Sequence, residues 1–238
     1  MYLHQAIPKL SQCVGIKFKD LFPDLPDDLR TNKGRVGQLL QIKIGLPLDS
    51  ALHDFEDGEL KTNKSDSKGN PKETMFIHQI SKEIDTLVCE KPKPFESSNL
   101  FQKIRRIVFL PVCKDSENHE DWFFVSLIDV NLDENNYLFS KLKDDYFKIC
   151  GELKKQATFA CFCWAEKSKG RACKDGCIHT TNGELIQVRS KDAKKNGSYN
   201  PIFSETYGRH ISDKNHAFYF RKNFMSFARQ HGDVIKTI

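Results

Sequence analysis

The sequence lacks any uninterrupted apolar run of about 18 residues, the length that a membrane-spanning helix requires. It also lacks the apolar block of a secretory signal, because His4, Lys9, Lys17 and Lys19 interrupt the apolar positions near its start. We therefore expect neither a membrane span nor a secretory signal. These expectations favour a cytoplasmic protein that has no membrane partner.

Disulfide bonds are also not expected. The chain has eight cysteines, but a chain of 238 residues without a secretory signal is typical of proteins whose thiols stay reduced. In the segment that ends with His179, four of them follow the spacing C-x-C-x9-C-x3-C, and Cys163, Cys173, Cys177 and His179 could form a tetrahedral zinc site. This spacing matches no zinc motif well, so buried thiols are the favoured interpretation.

Core-forming residues are plentiful: 39% of the chain is hydrophobic, and 18 residues are phenylalanine. This composition argues against disorder and suits one large domain or two lobes that share a core. Strand-like patterns lie at residues 59–62, 74–77, 104–112, 122–130, 183–189 and 217–220, and helical patterns at 36–44, 133–156 and 224–230. Their irregular alternation predicts an α/β or α+β fold, with a mixed central sheet flanked by helices.

The formal charge of +5 is unevenly distributed along the chain. Residues 1–181 carry 27 basic and 27 acidic side chains, whereas residues 182–238 carry 10 basic and 5 acidic ones. Tyrosines and phenylalanines lie among the basic residues of this last part. The pattern is typical of a polyanion-binding surface, and an ordinary solvated surface is the alternative.

One acidic segment carries a chemical pattern. Asp54 precedes an Asp-Gly turn signal, and the strand that follows would point Glu59 and Lys61 to the same face. Two converging carboxylates bind a hard divalent cation such as Mg²⁺, and an adjacent ammonium stabilises charge on a phosphate. The pattern D-x4-E-x-K is also common on solvated strands that bind no metal. The sequence blocks around it therefore decide between a metal site and an ordinary surface strand.

Five blocks surround or follow this pattern in a fixed order. They are KGRVGQLL at 33–40, GNPKETMF at 69–76, KIRRIVFLPV at 103–112, GELIQVRSK at 183–191 and FYFRKNF at 218–224. In this order they resemble the MutH mismatch-repair endonuclease and related type II restriction endonucleases of the PD-(D/E)xK nuclease group. The resemblance covers about residues 30–230 and implies a restriction-endonuclease-like fold with two lobes around a DNA cleft.

The resemblance also implies the roles of individual residues. Asp54 and Glu59 would be metal ligands, and Lys61 and Lys103 would lie beside the scissile phosphate. Gln41 occupies the position of a metal-supporting glutamate, and it would be a neutral member of the metal site. Asp57 is an alternative to Asp54 if the turn is built differently. The residues expected to contact DNA are Lys33, Glu73, Arg189, Tyr219, Arg221 and Lys222.

Together these observations predict a Mg²⁺-dependent endonuclease that acts on double-stranded DNA at a short palindrome, with GATC as the leading candidate. Mn²⁺ is expected to substitute for Mg²⁺. A type II restriction enzyme is favoured, and the alternatives are a repair-type nicking enzyme and a non-catalytic reader of GATC methylation. The expected lobes are residues 1–115 for catalysis and 116–238 for DNA reading. Cleavage of both strands would require a homodimer or two sequential nicks.

Overall fold

The computed structural model describes residues 1–32, 34–48, 54–158, 178–192 and 199–238. The helices in these ranges are α1 (Leu3–Cys13), α2 (Phe18–Leu21), α3 (Arg35–Ile44), α4 (Ile84–Val88), α5 (Asn99–Ile104), α6 (Asn136–Thr158) and α7 (Lys222–His231), with short 3-10 turns at Asp27–Arg30, Phe95–Ser97 and His119–Asp121. The strands are β1 (Glu59–Ser65), β2 (Met75–Gln79), β3 (Arg106–Cys113), β4 (Phe123–Phe124), β5 (Ser126–Asn131), β6 (Thr181–Asn182), β7 (Ile186–Ser190), β8 (Ile202–Ser204), β9 (Arg209–Ser212), β10 (His216–Phe220) and β11 (Asp233–Thr237).

The described chain divides into two compact units made of interleaved segments. The first contains Met1–Thr74, Lys103–Phe139 and Lys222–Ile238, and the second contains Met75–Gln102 and Ser140–Arg221. The sequence predicts lobes at residues 1–115 and 116–238. In the structure, the C-terminal helix and strand belong to the first unit. How catalysis and DNA reading divide along the chain stays a prediction.

The first unit is built on a mixed sheet with the strand order β1-β3-β5-β11, and β4 pairs with β3. Strands β1 and β3 are parallel, so Glu59 lies opposite Ile107, whereas β5 and β11 are antiparallel to their neighbours. Apolar residues of α1 and α3 pack on one face of this sheet, against Leu60 and Val108. On the other face, Phe109 contacts Phe224 of α7 at 5.4 Å between ring centroids.

The second unit contains an antiparallel sheet with the order β2-β10-β7-β6, and a separate hairpin formed by β8 and β9. The mixture of a parallel and several antiparallel pairings confirms the predicted α+β class with a mixed sheet and helices. Among the described residues, none of the helices combines the length and the apolarity that a bilayer crossing needs.

Most of the predicted strands and helices are present in the described residues, with two informative differences. The strand expected at 122–130 is divided into β4 and β5 at Val125, whose backbone N–H donates to the carbonyl of Pro111 on β3. Strand β11 was not predicted. All five of its residues are exposed, so it lacks the alternation of apolar and polar residues that indicates a half-buried strand.

Candidate active site

A tight turn places Asp54 next to the start of β1. The backbone N–H of Phe55 donates to the carbonyl of Gly58 at 3.0 Å and closes the turn. Gly58 has no room for a side chain, since an added Cβ would lie 2.4 Å from Leu3 Cδ1 and 2.9 Å from the Arg106 carbonyl oxygen. This close approach sets the path of the chain from Asp54 into Glu59.

The carboxylate of Asp54 is held by two donors. Its Oδ2 accepts from the backbone N–H of Leu60 at 2.9 Å, and its Oδ1 accepts from the side-chain amide of Gln41, on α3. Helix α3 ends at Gly45, whose φ of 84° is the left-handed conformation that favours glycine at a helix C-terminus. Asp54 thus receives one hydrogen bond from helix α3, through Gln41, and one from strand β1, through Leu60.

Glu59 is the centre of the site. It is only 4% exposed, and each of its two carboxylate oxygens accepts from a different lysine. Lys61 Nζ lies 2.6 Å from Oε1, and Lys103 Nζ lies 2.8 Å from Oε2. The lysine side chains are 14% and 16% exposed, so these ion pairs are largely shielded from water.

The parallel pairing of β1 with β3 explains how Lys103 reaches this point. Lys103 lies in the last turn of α5, just before β3 begins at Arg106. Since the two strands run in the same direction, the start of β3 lies beside the start of β1, where Glu59 is located. A contact across 44 positions of sequence thus results from one strand register.

Burial raises the pKa of Asp54 above its ordinary value, and the negative charge of Glu59 raises it further. The hydrogen bond from Leu60 and the positive charges of Lys61 and Lys103 act in the opposite direction but do not reverse the shift. An acidic group with a raised pKa beside a second carboxylate is typical of a place where a cation would relieve repulsion.

The donor atoms suit a hard divalent cation. The described residues contain no group of three or more His, Cys, Asp or Glu side chains arranged to hold a metal. Two carboxylates, from Asp54 and Glu59, with the amide group of Gln41 nearby, are however the kind of partial oxygen shell that Mg²⁺ completes with water and phosphate oxygens. The residues present therefore fit Mg²⁺ better than Zn²⁺.

Asp57, the sequence alternative to Asp54, has other partners. Its Oδ1 accepts from the backbone N–H of Leu3 at 2.8 Å, and its Oδ2 lies 3.2 Å from Arg106 Nη1. Arg106 also bonds Asp129 on β5, at 3.1 Å. These contacts favour Asp57 as an anchor of the turn, and they leave Asp54 as the carboxylate beside Glu59.

Two of the predicted DNA-contacting residues meet on the second sheet. The Arg189 guanidinium lies 5.2 Å from the ring centroid of Tyr219, and Tyr219 packs edge-on against Phe76 at 5.7 Å. Lys191 Nζ lies 4.1 Å from the centroid of the Phe76 ring. Sequence reasoning did not single out Phe76 or Lys191 as members of this cluster, although both belong to blocks that carry the resemblance.

The other predicted contacts have different surroundings. Glu73, in the first unit, accepts from the backbone N–H of Lys64 at 3.3 Å and lines a cavity of about 470 Å³. Arg221 donates to the carbonyl of Gly183, which is a structural contact within the second unit. Lys222 is exposed at the start of α7.

Some of the predicted residues lie outside the described ranges. These residues are Lys33 and the three cysteines of the zinc alternative, Cys163, Cys173 and Cys177. His179, the fourth member of that alternative, is described and exposed, and its backbone N–H donates to Gln156. The zinc alternative therefore gains no support from the described part of the chain.

The chain is similar to the DNA mismatch repair protein MutH of several bacteria. It is 30% identical over 115 residues to MutH of Vibrio vulnificus (strain YJ016), covering 45% of this chain and 48% of that protein. It is 24% identical over 242 residues to MutH of Enterobacter sp. (strain 638), covering 99% and 93%. The alignments at 30% identity thus span about half of each relative, and the longer one has lower identity.

No protein-family model matches the chain. Among solved structures, the complex of restriction endonuclease MvaI with cognate DNA is similar, with a TM-score of 0.43 and 9% identity, covering 100% of this chain and 99% of that chain. This likeness is too low to assign the fold.

Proposed function

We propose that this protein is a divalent-metal-dependent DNA endonuclease, with Mg²⁺ as its cation and Mn²⁺ as a substitute. The observation that supports this proposal best is the cluster of Asp54, Glu59, Lys61 and Lys103, in which two adjacent carboxylates share a shielded site with two ammonium groups. The similarity to MutH, which spans nearly the whole chain in one alignment, supports the same class of reaction.

The chemistry follows from the charges of these side chains. Asp54 and Glu59 would hold the cation, and Gln41 would orient the Asp54 carboxylate through its amide. A bound divalent cation supplies Lewis-acid stabilisation of phosphate charge and activation of water. Lys61 and Lys103 place two ammonium groups where negative charge would build on the phosphate oxygens, and such fixed charges lower the barrier for phosphodiester hydrolysis.

For the target we propose a short palindrome, with GATC as the leading candidate, and a type II restriction activity. Arg189 is exposed and could donate two hydrogen bonds to guanine, and Glu73 could accept from cytosine. Tyr219 would contact the adenine and its methyl group. Double-strand cleavage by one active site per chain would require a homodimer or two sequential nicks.

The test is cleavage of supercoiled plasmid by the purified protein with Mg²⁺, on unmethylated and adenine-methylated DNA. We expect cuts at GATC, and Lys61→Ala should reduce the rate at least about 100-fold while DNA binding persists. Lys148→Ala removes an exposed lysine on α6 and should cleave at the wild-type rate. Retained cleavage by Lys61→Ala would contradict the site assignment.

Two alternatives remain distinguishable in the same experiment. A mismatch-repair-type nickase would convert supercoiled plasmid to the open circle without linear product. A non-catalytic reader of GATC methylation would shift GATC duplexes on a gel and leave the plasmid intact with either metal. The observation that favours this second candidate is Gln41, a neutral residue beside the metal site.

A further inference from the structure

A cavity that shares no lining residue with the candidate active site lies between two turns of the first unit. It has a volume of about 490 Å³ and is bounded by the turn after β5 and the turn before β11. The side chain of Asn135 donates to the carbonyl of His231 and joins the two turns. Its lining residues are Asp129, Asn131, Glu134, Asn135, Asn136, Tyr137, His231, Gly232 and Asp233.

The lining of this acidic pocket carries more negative than positive charge, since Arg106 lies behind it and pairs with only one of its three carboxylates, Asp129. Three of its residues are the carboxylates Asp129, Glu134 and Asp233, and none is lysine or arginine. Glu134 and Asp233 are exposed, and within the described residues neither carboxylate forms a salt bridge or a side-chain hydrogen bond. A nucleic-acid phosphate would be repelled here, whereas a cationic group would be attracted.

Asp129 provides a buried acceptor at this pocket. The residue is only 8% exposed, and its Oδ2 lies 3.1 Å from Arg106 Nη2. Its Oδ1 is buried and has no hydrogen-bond partner among the described residues. Because this buried oxygen has no donor, the ion pair with Arg106 leaves the negative charge of Asp129 only partly compensated at the edge of the pocket, which favours a cationic ligand there.

One wall of the acidic pocket is aromatic. Tyr137 is 46% exposed, and its ring centroid lies 4.3 Å from that of His231. On α7, the Phe227 ring lies nearly parallel to that of Tyr137, with 6.2 Å between centroids and 7° between planes. An exposed tyrosine face held by neighbouring rings is suited to a flat cation that stacks on it.

The volume, the carboxylates and the aromatic wall of the pocket favour an organic cation over a metal ion. The volume is far larger than a single metal ion needs, and the carboxylates do not form a metal-binding group in the described part of the chain. A guanidinium has five donors in one plane and stacks on aromatic rings, so it matches both the acceptors and the tyrosine wall. We infer that the acidic pocket binds the guanidinium of an arginine side chain presented by a partner protein.

The direct test uses a short acetylated and amidated peptide with one arginine among glycines and serines. Its binding to the full-length protein is followed by calorimetry and by amide NMR shifts of Glu134 and Asp233, without DNA or metal. We expect a dissociation constant below about 1 mM. The same peptide with citrulline, which keeps the shape and loses the charge, should bind at least about tenfold more weakly.

Variants locate the binding site. The double variant Glu134→Gln, Asp233→Asn changes only exposed residues and should weaken the arginine peptide about tenfold. Glu152→Gln, an exposed carboxylate on α6 outside the pocket, should bind within twofold of the wild type. Asp129 is not substituted in this test, because its ion pair with Arg106 supports the fold.

Three results of the peptide titration would overturn the inference. They are no binding up to about 10 mM peptide, equal binding of the arginine and citrulline peptides, and unchanged binding by the double variant. Displacement of the peptide by millimolar Mg²⁺ or Mn²⁺ with shifts confined to these carboxylates would indicate a metal site instead, and would also overturn it. Since the measurement needs no cleavage, its failure leaves the proposed nuclease function untouched, and the reverse also holds.

Discussion

Glu59 is the residue on which we expect both the stability and the chemistry of the site to depend. Its buried carboxylate offsets part of the charge of two ammonium groups that would otherwise repel each other across a site that excludes most water. The same carboxylate is the expected cation ligand. Binding of a divalent cation would therefore weaken the hold of Glu59 on Lys61 and Lys103, and would release them toward a phosphate.

Replacing Glu59 by glutamine tests this dual role. Glu59→Gln leaves two shielded lysines without their counter-charge, so we expect a loss of about 3 kcal/mol in the free energy of unfolding, together with the loss of cleavage. Urea unfolding and plasmid cleavage measure the two effects. Glu152→Gln, on the exposed face of α6, serves as the matched control. Unchanged stability would show that the ion pairs do not support the fold.

The pH dependence of cation binding follows from Asp54. Because its pKa is raised above the ordinary 3.8, the stability that its protonated form contributes is complete below pH 3.8 and is lost as the pH rises through the raised value. Cation binding needs the carboxylate, so Mg²⁺ affinity should increase over this same window. Calorimetric Mg²⁺ titration from about pH 3 to about pH 7 checks this, and Asp54→Asn should abolish the transition. A transition centred below 3.8 would contradict the expected direction.

At the scale of elements, the turn before β1 links the site to the rest of the first unit. Asp57 anchors it to the start of α1 and to β3, and Gly58 allows Leu3 to approach the backbone. The turn thereby holds Asp54 next to Leu60, and α3 supplies Gln41 from the other side. The site thus depends on one glycine that has no catalytic group.

Two glycine substitutions separate the effect of tight packing at the turn from the general effect of replacing glycine by alanine. Gly58→Ala should destabilise the protein by about 1–3 kcal/mol, because its Cβ would overlap Leu3 and the Arg106 carbonyl. Gly151→Ala, inside α6 with nothing within 4 Å of the added Cβ, should stabilise it by about 0.5–1 kcal/mol. Thermal unfolding measures both. Equal effects of the two substitutions would show that the turn is not tightly packed.

At the scale of the whole molecule, the basic segment at residues 182–238 also makes structural contacts. Four of its ten basic side chains donate to backbone carbonyls and serve the fold. These residues are Arg209, Arg221, Arg229 and Lys236. Arg189 is exposed, and its guanidinium lies 5.2 Å from the ring centroid of Tyr219. The residues expected to contact DNA directly are therefore fewer than the composition suggests.

Salt dependence of DNA binding tests this distribution. We expect affinity for a GATC duplex to fall steeply with salt, and Arg189→Ala should either reduce the slope of log affinity against log salt by about 1 or relax the preference for GATC. Fluorescence anisotropy from about 50 to 200 mM salt measures it. If Arg189→Ala keeps the wild-type salt slope and the wild-type preference for GATC, Arg189 does not contact DNA.

The local patterns of the sequence predicted the helix at 36–44 and the strand at 59–62, which the structure has as Arg35–Ile44 and Glu59–Ser65. The spacing of apolar residues and the stop at Gly45 need no distant partner. The local patterns also determined the proximity of Asp54, Glu59 and Lys61, since a turn and one strand connect them. The split of residues 122–130 and the exposed β11 were not predictable, because both depend on pairing with distant strands.

Only the tertiary structure decided which charges meet across long distances in the chain. The parallel register of β1 and β3 brings Lys103 to Glu59, and the Arg106 ion pairs assign Asp57 to the turn and not to the carboxylate pair. The acidic pocket likewise exists only because two turns separated by about a hundred residues are joined. Sequence spacing sets which groups are neighbours along a strand, whereas strand pairing sets which groups share a low-dielectric site, where charge has its largest effect.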